Sequence, residues 1–220
     1  MPGGPVDSGR DGGSQRALAL GGVVGPLLFW GAVVVLGSLD PDYSHLEHAM
    51  SLVGSVQAPF SPVARAAFVL SGLLLVAFSV GLSRALRPGR VAIGGAATIA
   101  VHGIGRIGEG VFAWDLARPD SLVNTLHTAF GVPALLSMLA APVLLAVAFR
   151  GADGWRAYYR PTVATAVAFV GVFVVVGPFS AAAGVGVPSG LGQRVGFGLW
   201  YVWLLALAVG LYRRAPAADQ

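Results

Sequence analysis

Residues 68–86, with the sequence FVLSGLLLVAFSVGLSRAL, contain a single charged residue, Arg84, close to their end. They belong to a longer apolar run, 62–86, and an α-helix needs only about 20 such residues to cross a bilayer. Further runs of comparable length lie at 17–39, 91–113, 124–149, 161–183 and 193–212. The sequence therefore predicts an all-α integral membrane protein, a bundle of six transmembrane helices.

The composition supports a membrane protein over a water-soluble one. The chain has 220 residues, of which 55% are hydrophobic and 11% charged, and its mean hydropathy is +0.75. A soluble domain of this length could not cover its core with so few charges. Without cysteine, disulfides and thiolate metal sites are excluded. The net charge of +4 comes from arginines that flank apolar runs, so we expect no nucleic-acid partner.

The ends of the chain differ in composition from its middle. Residues 1–16 are rich in Gly, Pro, Ser and charge, which is typical of a disordered tail. We expect one membrane domain over 17–212 and a second short tail over 213–220. The first apolar run is long enough to span a bilayer, so we expect no cleaved signal peptide.

Arginines decide the expected orientation, because cytoplasmic flanks of membrane helices are enriched in positive charge. One side of the predicted topology carries Arg10, Arg16, Arg84, Arg87, Arg90, Arg150, Arg156, Arg160, Arg213 and Arg214. The other side and the membrane half next to it carry Arg65, Arg106, Arg118 and Arg194. This asymmetry predicts a protein of the cell membrane with both termini in the cytoplasm.

The third apolar run carries the most informative polar residues, within AVHGIGRIGEGVFAWD at 100–115. His102, Arg106 and Glu109 are spaced i, i+4, i+7 and so share one helical face. A charge inside a bilayer is costly unless it is paired or faces water, and Arg106 and Glu109 are one turn apart. Two interpretations remain open. The face forms the wall of a polar pocket, or it carries a structural ion pair and a histidine that is bonded to a backbone carbonyl.

Two of the four histidines lie in DYSHLEHAM, residues 42–50, after the first apolar run. From Tyr43 to Val56 the apolar and polar side chains fall on opposite helical faces, which predicts a short amphipathic helix between the first two spans. This helix either lies at the outer membrane interface with its polar face in water, or it folds back over the bundle. Two further polar residues lie at the ends of apolar runs. Asp115 follows the third run and His127 lies near the start of the fourth, and each is either a helix cap or a further member of the pocket.

These polar residues fall in the outer half of the predicted bundle, and we expect one shared pocket there. Glu109, Asp115 and Asp42 are the candidate proton donors, with His102, His127 and Arg106 tuning them. Tyr43, His45 and His48 are candidate substrate-binding residues. The candidate aromatic walls, which stabilise cations, are Phe112, Trp114, Phe130, Trp200, Tyr201 and Trp203. We expect no cofactor, a lipophilic small molecule as substrate, and membrane lipid as surroundings.

Three stretches resemble a known family. PDYSHLEHAMSLVG (41–54), residues 68–86 and GIGRIGEGVFAWD (103–115), followed by a histidine, resemble the multi-pass bacterial and archaeal proteins of domain of unknown function 998. The resemblance covers about residues 17–150. Its markers here are Tyr43, Ser51, Gly54, Gly110, Phe112, Asp115 and His127. The proline expected near the Phe-x-x-Asp element is replaced by Ala113 or Trp114. The resemblance implies a helical membrane bundle and supplies no activity.

Three classes of function remain open. The first is an intramembrane enzyme using acid–base chemistry on an isoprenoid or lipid; small membrane-bound terpene cyclases of actinobacteria are similar in size and apolar character. The second is a metal-dependent lipid hydrolase with His45, His48, Asp115 and His127 as ligands. Seven-helix alkaline ceramidases work this way, but the chain lacks their His-x-x-x-His pair and a seventh span.

The third class is a lipid-binding or transport-associated protein without catalysis. Its polar cluster would then stabilise the bundle or hold a ligand. No matching pair of discontinuous helices indicates a transporter. Of the three classes, the sequence favours the enzyme, and it leaves the oligomeric state undetermined.

Overall fold

The computed structural model describes residues 8–86, 89–176 and 189–215, and these residues form helices and connections without any strand. The α-helices are α1 Ser8–Leu39, α2 Ser61–Ala85, α3 Arg90–Val111, α4 Leu122–Gly151, α5 Tyr159–Val170 and α6 Ser189–Arg214. Short 3₁₀-helices occupy Met50–Gly54 and Arg156–Tyr158, and a π-helix, Gly171–Val176, follows α5 directly.

Five helices in the described residues are long and apolar enough to cross a membrane. They are Gly12–Leu39, Ser61–Ala85, Arg90–Val111, Leu122–Gly151 and Gly190–Arg214. The all-α, multi-pass membrane class is thus confirmed. The run predicted at 161–183 corresponds to α5 and the π-helix as far as Val176, and its remainder lies outside the described residues.

The termini differ in part from the prediction. α1 begins at Ser8, inside the segment 1–16 that we expected to be a disordered tail, and residues 1–7 lie outside the described residues. α6 continues through Arg213 and ends at Arg214, so the start of the predicted tail 213–220 is helical.

The connection between α1 and α2 is not the regular amphipathic helix that the sequence predicts. The chain makes turns through residues 41–47 and then the five-residue 3₁₀-helix Met50–Gly54. Side chains satisfy backbone donors here: Asp40 Oδ1 accepts from the amide of Asp42, and His48 Nδ1 accepts from the amide of Ser44. Such local bonds compete with the helical hydrogen-bond ladder.

The central helix of the bundle is α3, which packs between α2 and α4, while α1 packs against α2 and α6. At one end of the bundle, Gln15 on α1 donates to the carbonyl of Gly81, and Arg214 donates to the carbonyl of Gly154. At the other end, the amide of Leu191 donates to the carbonyl of Leu46. The start of α1 and the end of α6 share an end of the bundle, because the guanidinium of Arg16 lies 5.8 Å from the ring centre of Tyr212. The α1–α2 connection lies at the opposite end.

Small residues allow α3 to approach its neighbours closely. A Cβ atom on Gly103 would lie 2.7 Å from the carbonyl oxygen of Gly72 on α2. On the α4 side, Gly105 lies against Ala134 and Gly108 lies against the ring of Phe130. Close approach of backbones at small residues is a common basis of helix association in membranes. It surrounds the inner face of α3 with protein rather than lipid.

We predict that Gly103→Ala destabilises the protein by about 1–3 kcal/mol, the usual range for overpacking, because the new methyl group meets a backbone atom that cannot rotate away. The measurement is thermal unfolding in detergent micelles. Gly31→Ala is the matched control, since a Cβ on Gly31 meets no described atom within 4 Å. Equal melting temperatures for the two variants would contradict the close α2–α3 crossing.

Candidate functional site

The inner face of α3 carries a buried ion pair. Arg106 Nη2 lies 2.5 Å from Glu109 Oε2, and the two side chains are 5% and 7% exposed. The structure thus forms the pair that the i, i+3 spacing predicts. The contact has the distance of a salt bridge without the geometry of a hydrogen bond. Arg106 Nε, which takes no part in this contact, is buried and has no hydrogen-bond partner in the described chain.

Aromatic rings surround the guanidinium of Arg106. Its central carbon lies 4.8 Å from the ring centre of Phe29 on α1 and 5.3 Å from that of Phe197 on α6. Phe68 packs against Phe29, with ring centres 5.0 Å apart. The electron-rich ring faces attract a cation, and the attraction is strongest where water is excluded. Sequence reasoning missed Phe29 and Phe197 because no local pattern marks them.

His102 lies one turn deeper than Arg106 and is fully buried. Its Nδ1 is 3.2 Å from the carbonyl oxygen of Ala134, and its Nε2 is 3.1 Å from the hydroxyl of Tyr201. A carbonyl only accepts, so Nδ1 donates to it, and in the neutral ring Nε2 accepts from Tyr201. His102 thus matches the alternative of a histidine bonded to a backbone carbonyl, and it connects α3, α4 and α6.

A cavity of about 170 Å³ lies beside the ion pair. Its polar lining comes from Arg106, Glu109, Ser51 and Gln193. Its apolar lining comes from Met50, Gly131, Val132, Leu135, Phe173 and Phe197. Phe173 belongs to the π-helix, a type of irregularity that is frequent at functional sites. We call this space the inner cavity.

The α1–α2 connection forms the outer boundary of the inner cavity and is bonded to the start of α6. Gln193 Oε1 accepts from the amide of Met50 at 3.0 Å. Arg194 Nη2 donates to the hydroxyl of Tyr43 at 2.6 Å and to His45 Nδ1 at 3.1 Å. Its Nη1 donates to the carbonyl of His48. Tyr43, His45 and His48 therefore anchor this connection, which accounts for the concentration of polar residues there.

Burial and Arg194 together set the titration of these anchoring residues. Burial lowers the pKa of His45, and the adjacent Arg194 guanidinium lowers it further. Burial raises the pKa of Tyr43, although the charge of Arg194 and the hydrogen bond from it act in the opposite direction. A neutral His45 and a protonated Tyr43 fit their observed roles beside the guanidinium.

Asp115 organises the connection between α3 and α4. Its Oδ1 accepts from Gln57 Nε2 at 2.8 Å and from the amide of Ala117 at 3.0 Å, and its Oδ2 accepts from Arg118 Nε at 2.7 Å. The hydrogen bonds from Gln57 and Arg118 hold the pKa of Asp115 below its usual value. Asp115 does not line the inner cavity. Its hydrogen bonds place Asp115 in the α3–α4 connection, and its role as a proton donor stays a prediction.

Asn124, which sequence reasoning missed, completes this connection. Its Oδ1 accepts from the amide of Asp115 at 2.7 Å, and its Nδ2 donates to the carbonyl of Asp115 at 2.9 Å. The same Nδ2 lies within 3.2 Å of the carbonyls of Arg118 and Pro119. The sequence did offer a signal for Asn124. It is a polar amide in the first turn of an apolar helix, just after the capping residue Ser121.

Asp42 belongs to a different space. Together with Asp40, Tyr43 and His48 it lines an outer groove of about 560 Å³, whose other wall includes Gln57 and Leu116. The expected single pocket is thus divided, because the α1–α2 connection lies between the two spaces. Met50 and Ser51 face the inner cavity, while Leu52 and Ser55 face the outer groove.

The expected aromatic walls lie elsewhere in the bundle. Phe112 stacks on Phe130, with ring centres 5.6 Å apart, and Trp114 contacts the ring of His127. His127 Nδ1 is 2.7 Å from the carbonyl oxygen of Phe112. The indole of Trp203 donates to Thr162, and Trp200 and Tyr201 pack beside His102. The inner cavity is instead lined by Phe173 and Phe197.

The metal site considered from sequence is not formed. Among the described residues, no group of three or more His, Cys, Asp or Glu side chains is placed to hold a metal ion. His45 and His48 are bonded to Arg194 and Ser44, and Asp115 to Gln57 and Arg118. His127 is bonded to the carbonyl of Phe112. The four proposed ligands are therefore held apart by partners of their own.

Comparison with known proteins identifies the family. Residues 23–210 match the family model described as protein of unknown function (DUF998). The chain belongs to the DUF998 family. The match extends beyond about residue 150, where the resemblance seen in the sequence ends, and so includes α5 and most of α6. No curated protein and no solved structure matches this DUF998 chain, so no similarity to terpene cyclases is shown.

We predict that Asp115→Asn lowers the melting temperature at neutral pH, because the amide loses the charge that pairs with Arg118. The pKa of Asp115 is lower in the folded than in the unfolded state. Its contribution to the free energy of unfolding is therefore complete above about pH 3.9, and it is lost as the pH falls through the folded-state pKa. The difference from wild type should shrink on acidification. Asp120→Asn, at an exposed loop position, is the control. A difference independent of pH would contradict this assignment.

We predict that Arg194→Met loosens the α1–α2 connection, because it removes three bonds to residues 43–48. Hydrogen–deuterium exchange of amides 43–51 should accelerate in micelles at constant pH. Arg213→Met, an exposed arginine at the other end of α6, should leave this segment unchanged. Unaltered exchange of residues 43–51 in Arg194→Met would show that the connection is held by other contacts.

Proposed function

We propose that this DUF998 protein is a membrane enzyme that binds a lipophilic small molecule in the inner cavity and acts on it by acid–base chemistry. The observation that supports this most is the Arg106–Glu109 pair, which is buried in the bundle and lines a mostly apolar cavity. Ionisable residues inside the membrane are costly, and they commonly mark substrate or proton pathways. A largely apolar pocket with a few convergent polar groups is the usual form of a small-molecule site.

Glu109 is the proposed proton-transferring group. Among the described residues that line the cavity it is the one acid, and its carboxylate, paired with Arg106, would accept the proton. Arg106 would stabilise negative charge that develops on a substrate oxygen as its proton leaves. His102 and His127 do not line the cavity, so we assign them positioning roles within the bundle.

The lipophilic character of the proposed substrate rests on the cavity's position. Val132 and Leu135 on α4 line the cavity and are 50% and 38% exposed in the described structure. On a membrane-spanning helix, such exposed apolar side chains face the acyl chains of the lipid. A molecule dissolved in the bilayer would therefore reach the ion pair from the side, between α4 and the π-helix.

Acid-initiated cyclisation of an isoprenoid, the reaction expected from sequence, receives less support. It requires a protonated acid and walls that enclose the folded chain, whereas Glu109 forms a salt bridge. The cavity of about 170 Å³ is close to the roughly 150 Å³ of an engineered cavity that holds benzene. A proton abstraction next to the head of an amphiphile fits this volume better.

The second candidate is a lipid-binding protein without catalysis. The hydrogen bonds of His102 and the aromatic rings around Arg106 favour it, because they also explain the polar face of α3 as a stabilising element. The two candidates share the cavity and the lipophilic ligand. They differ in whether Glu109 changes a bound molecule.

For the membrane arrangement we propose six crossings of the cell membrane, with both termini in the cytoplasm. Tyr158 lies at the end of the bundle where Arg214 contacts its ring, and Arg194 near the start of α6 lies at the opposite end beside Tyr43. A sixth passage between these points accounts for both contacts. The concentration of arginines at the end that holds the termini supports its cytoplasmic location.

The proposed chemistry predicts that Glu109→Gln lowers turnover by about a hundredfold or more, the usual range for loss of a general base. Purified wild type and variants are incubated with a panel of prenyl and acyl lipids, and products are detected by mass spectrometry. Glu109→Asp retains the charge with a shorter reach, and should fold like wild type yet turn over slowly. Asp120→Asn is the control.

The outcomes separate the candidates. Equal turnover in wild type and Glu109→Gln would remove this carboxylate from the chemistry. Binding of lipids without any product in the wild type would support the non-catalytic candidate instead. Loss of turnover in Glu109→Gln counts only if the variant remains folded, since an unpaired buried arginine is itself destabilising, by about 3–5 kcal/mol.

A further inference from the structure

We propose that the inner cavity selects an uncharged amphiphile whose head group both donates and accepts a hydrogen bond, with a long-chain alcohol as the simplest member of the class. This inference rests on the proposed function, because it concerns the ligand of the same cavity. It is carried by the charge balance of the lining, by the donor and the acceptor that the ion pair presents there and by the shape of the space.

The charges that line the cavity cancel. Arg106 contributes one positive charge and Glu109 one negative charge, and the other polar lining residues, Ser51 and Gln193, are uncharged. An anionic head group would meet the carboxylate of Glu109, and a cationic head group would meet the guanidinium of Arg106. In each case the attraction to the opposite charge offsets the repulsion, so a charged head group would lose its hydration without a net compensating charge. A neutral head group avoids this cost.

The two side chains of the ion pair define the hydrogen bonds that the head group would make. Both line the cavity, the guanidinium of Arg106 as a donor and the carboxylate of Glu109 as an acceptor, and Arg106 Nε is buried without a hydrogen-bond partner in the described chain. Unpaired buried polar groups of this kind are rare in stable proteins. A hydroxyl group carries one donor and two acceptor lone pairs, so it can serve both residues at once. An ether can serve only the donor, and a hydrocarbon serves neither.

The space beside the carboxylate is kept open by a glycine. A Cβ atom on Gly131 of α4 would lie 2.9 Å from Glu109 Oε1, so any side chain there would crowd the carboxylate. The volume of about 170 Å³ suits a head group with its first few carbons, by comparison with the roughly 150 Å³ that accommodates benzene. The remaining chain would then leave the cavity along the exposed side chains of Val132 and Leu135.

The experiment uses the full chain in lipid nanodiscs and a photoreactive probe, 1-dodecanol carrying a diazirine on its chain. Labelled peptides are mapped by mass spectrometry, and we expect the label on α4 around residues 131–135. Four competitors of equal chain length are then compared: dodecanol, its methyl ether, dodecanoate and dodecylammonium. Dodecanol should compete about tenfold or more better than the others, since a hydrogen bond to a charged group is typically worth that factor.

Two variants test the assigned groups. Glu109→Gln leaves the positive charge of Arg106 in the cavity, so dodecanoate should become the best competitor. Gly131→Ala should weaken competition by dodecanol several-fold without loss of folding, because the crowded atom is the end of a flexible side chain. Gly31→Ala, which meets no described atom within 4 Å and does not line the cavity, is its control.

Each outcome decides a separate claim. Label at residues 131–135 with a clear advantage for dodecanol supports the inference. Label at this position with equal competition by all four compounds overturns the selection of an uncharged head group, while the proposed lipophilic site stands. Absence of label from the inner cavity in wild type would overturn the proposed function and this inference together.

Discussion

The structure depends on how a guanidinium is accommodated inside an apolar bundle. A charge at membrane depth costs several kcal/mol unless it is compensated. Here Glu109 compensates the charge of Arg106, and the rings of Phe29 and Phe197 enclose it. The compensation comes from α1, α3 and α6, so these helices must meet at one depth. The glycines of α3 make this possible, because they let α2 and α4 close around it.

The α1–α2 connection links this buried pair to the outer surface. One side of the connection lines the inner cavity and the other side lines the outer groove, so its position determines the depth of both. Gln193 and Arg194 hold it from the start of α6. Polar residues that looked like a catalytic cluster in sequence are therefore hydrogen-bonded within this connection and to α6, while the proposed chemistry rests on a pair on α3. In this DUF998 protein, the physical chemistry of this pair is the basis of the proposed function.

Sequence reasoning succeeded where the physical cause is local. Apolar runs of bilayer length identify the membrane helices, and helical periodicity together with the cost of buried charge predicts the Arg106–Glu109 pair. It failed where partners are distant along the chain, as with Arg194 and Tyr43 or Arg106 and Phe29. The amphipathic helix expected from Tyr43 to Val56 was wrong, because periodicity says nothing of side chains such as His48 that bond to the backbone. Asn124 was missed for a similar reason, since its four contacts exist only after the connection has folded.

The central claim is that Glu109 is a carboxylate paired with Arg106 inside the membrane. Infrared difference spectroscopy of wild type against Glu109→Gln, in nanodiscs at neutral pH, measures this protonation state directly. The account predicts that the variant loses an ionised carboxylate band and gains an amide side-chain band. Loss of a protonated carboxyl band instead would contradict it, because a neutral Glu109 could not balance the charge of Arg106.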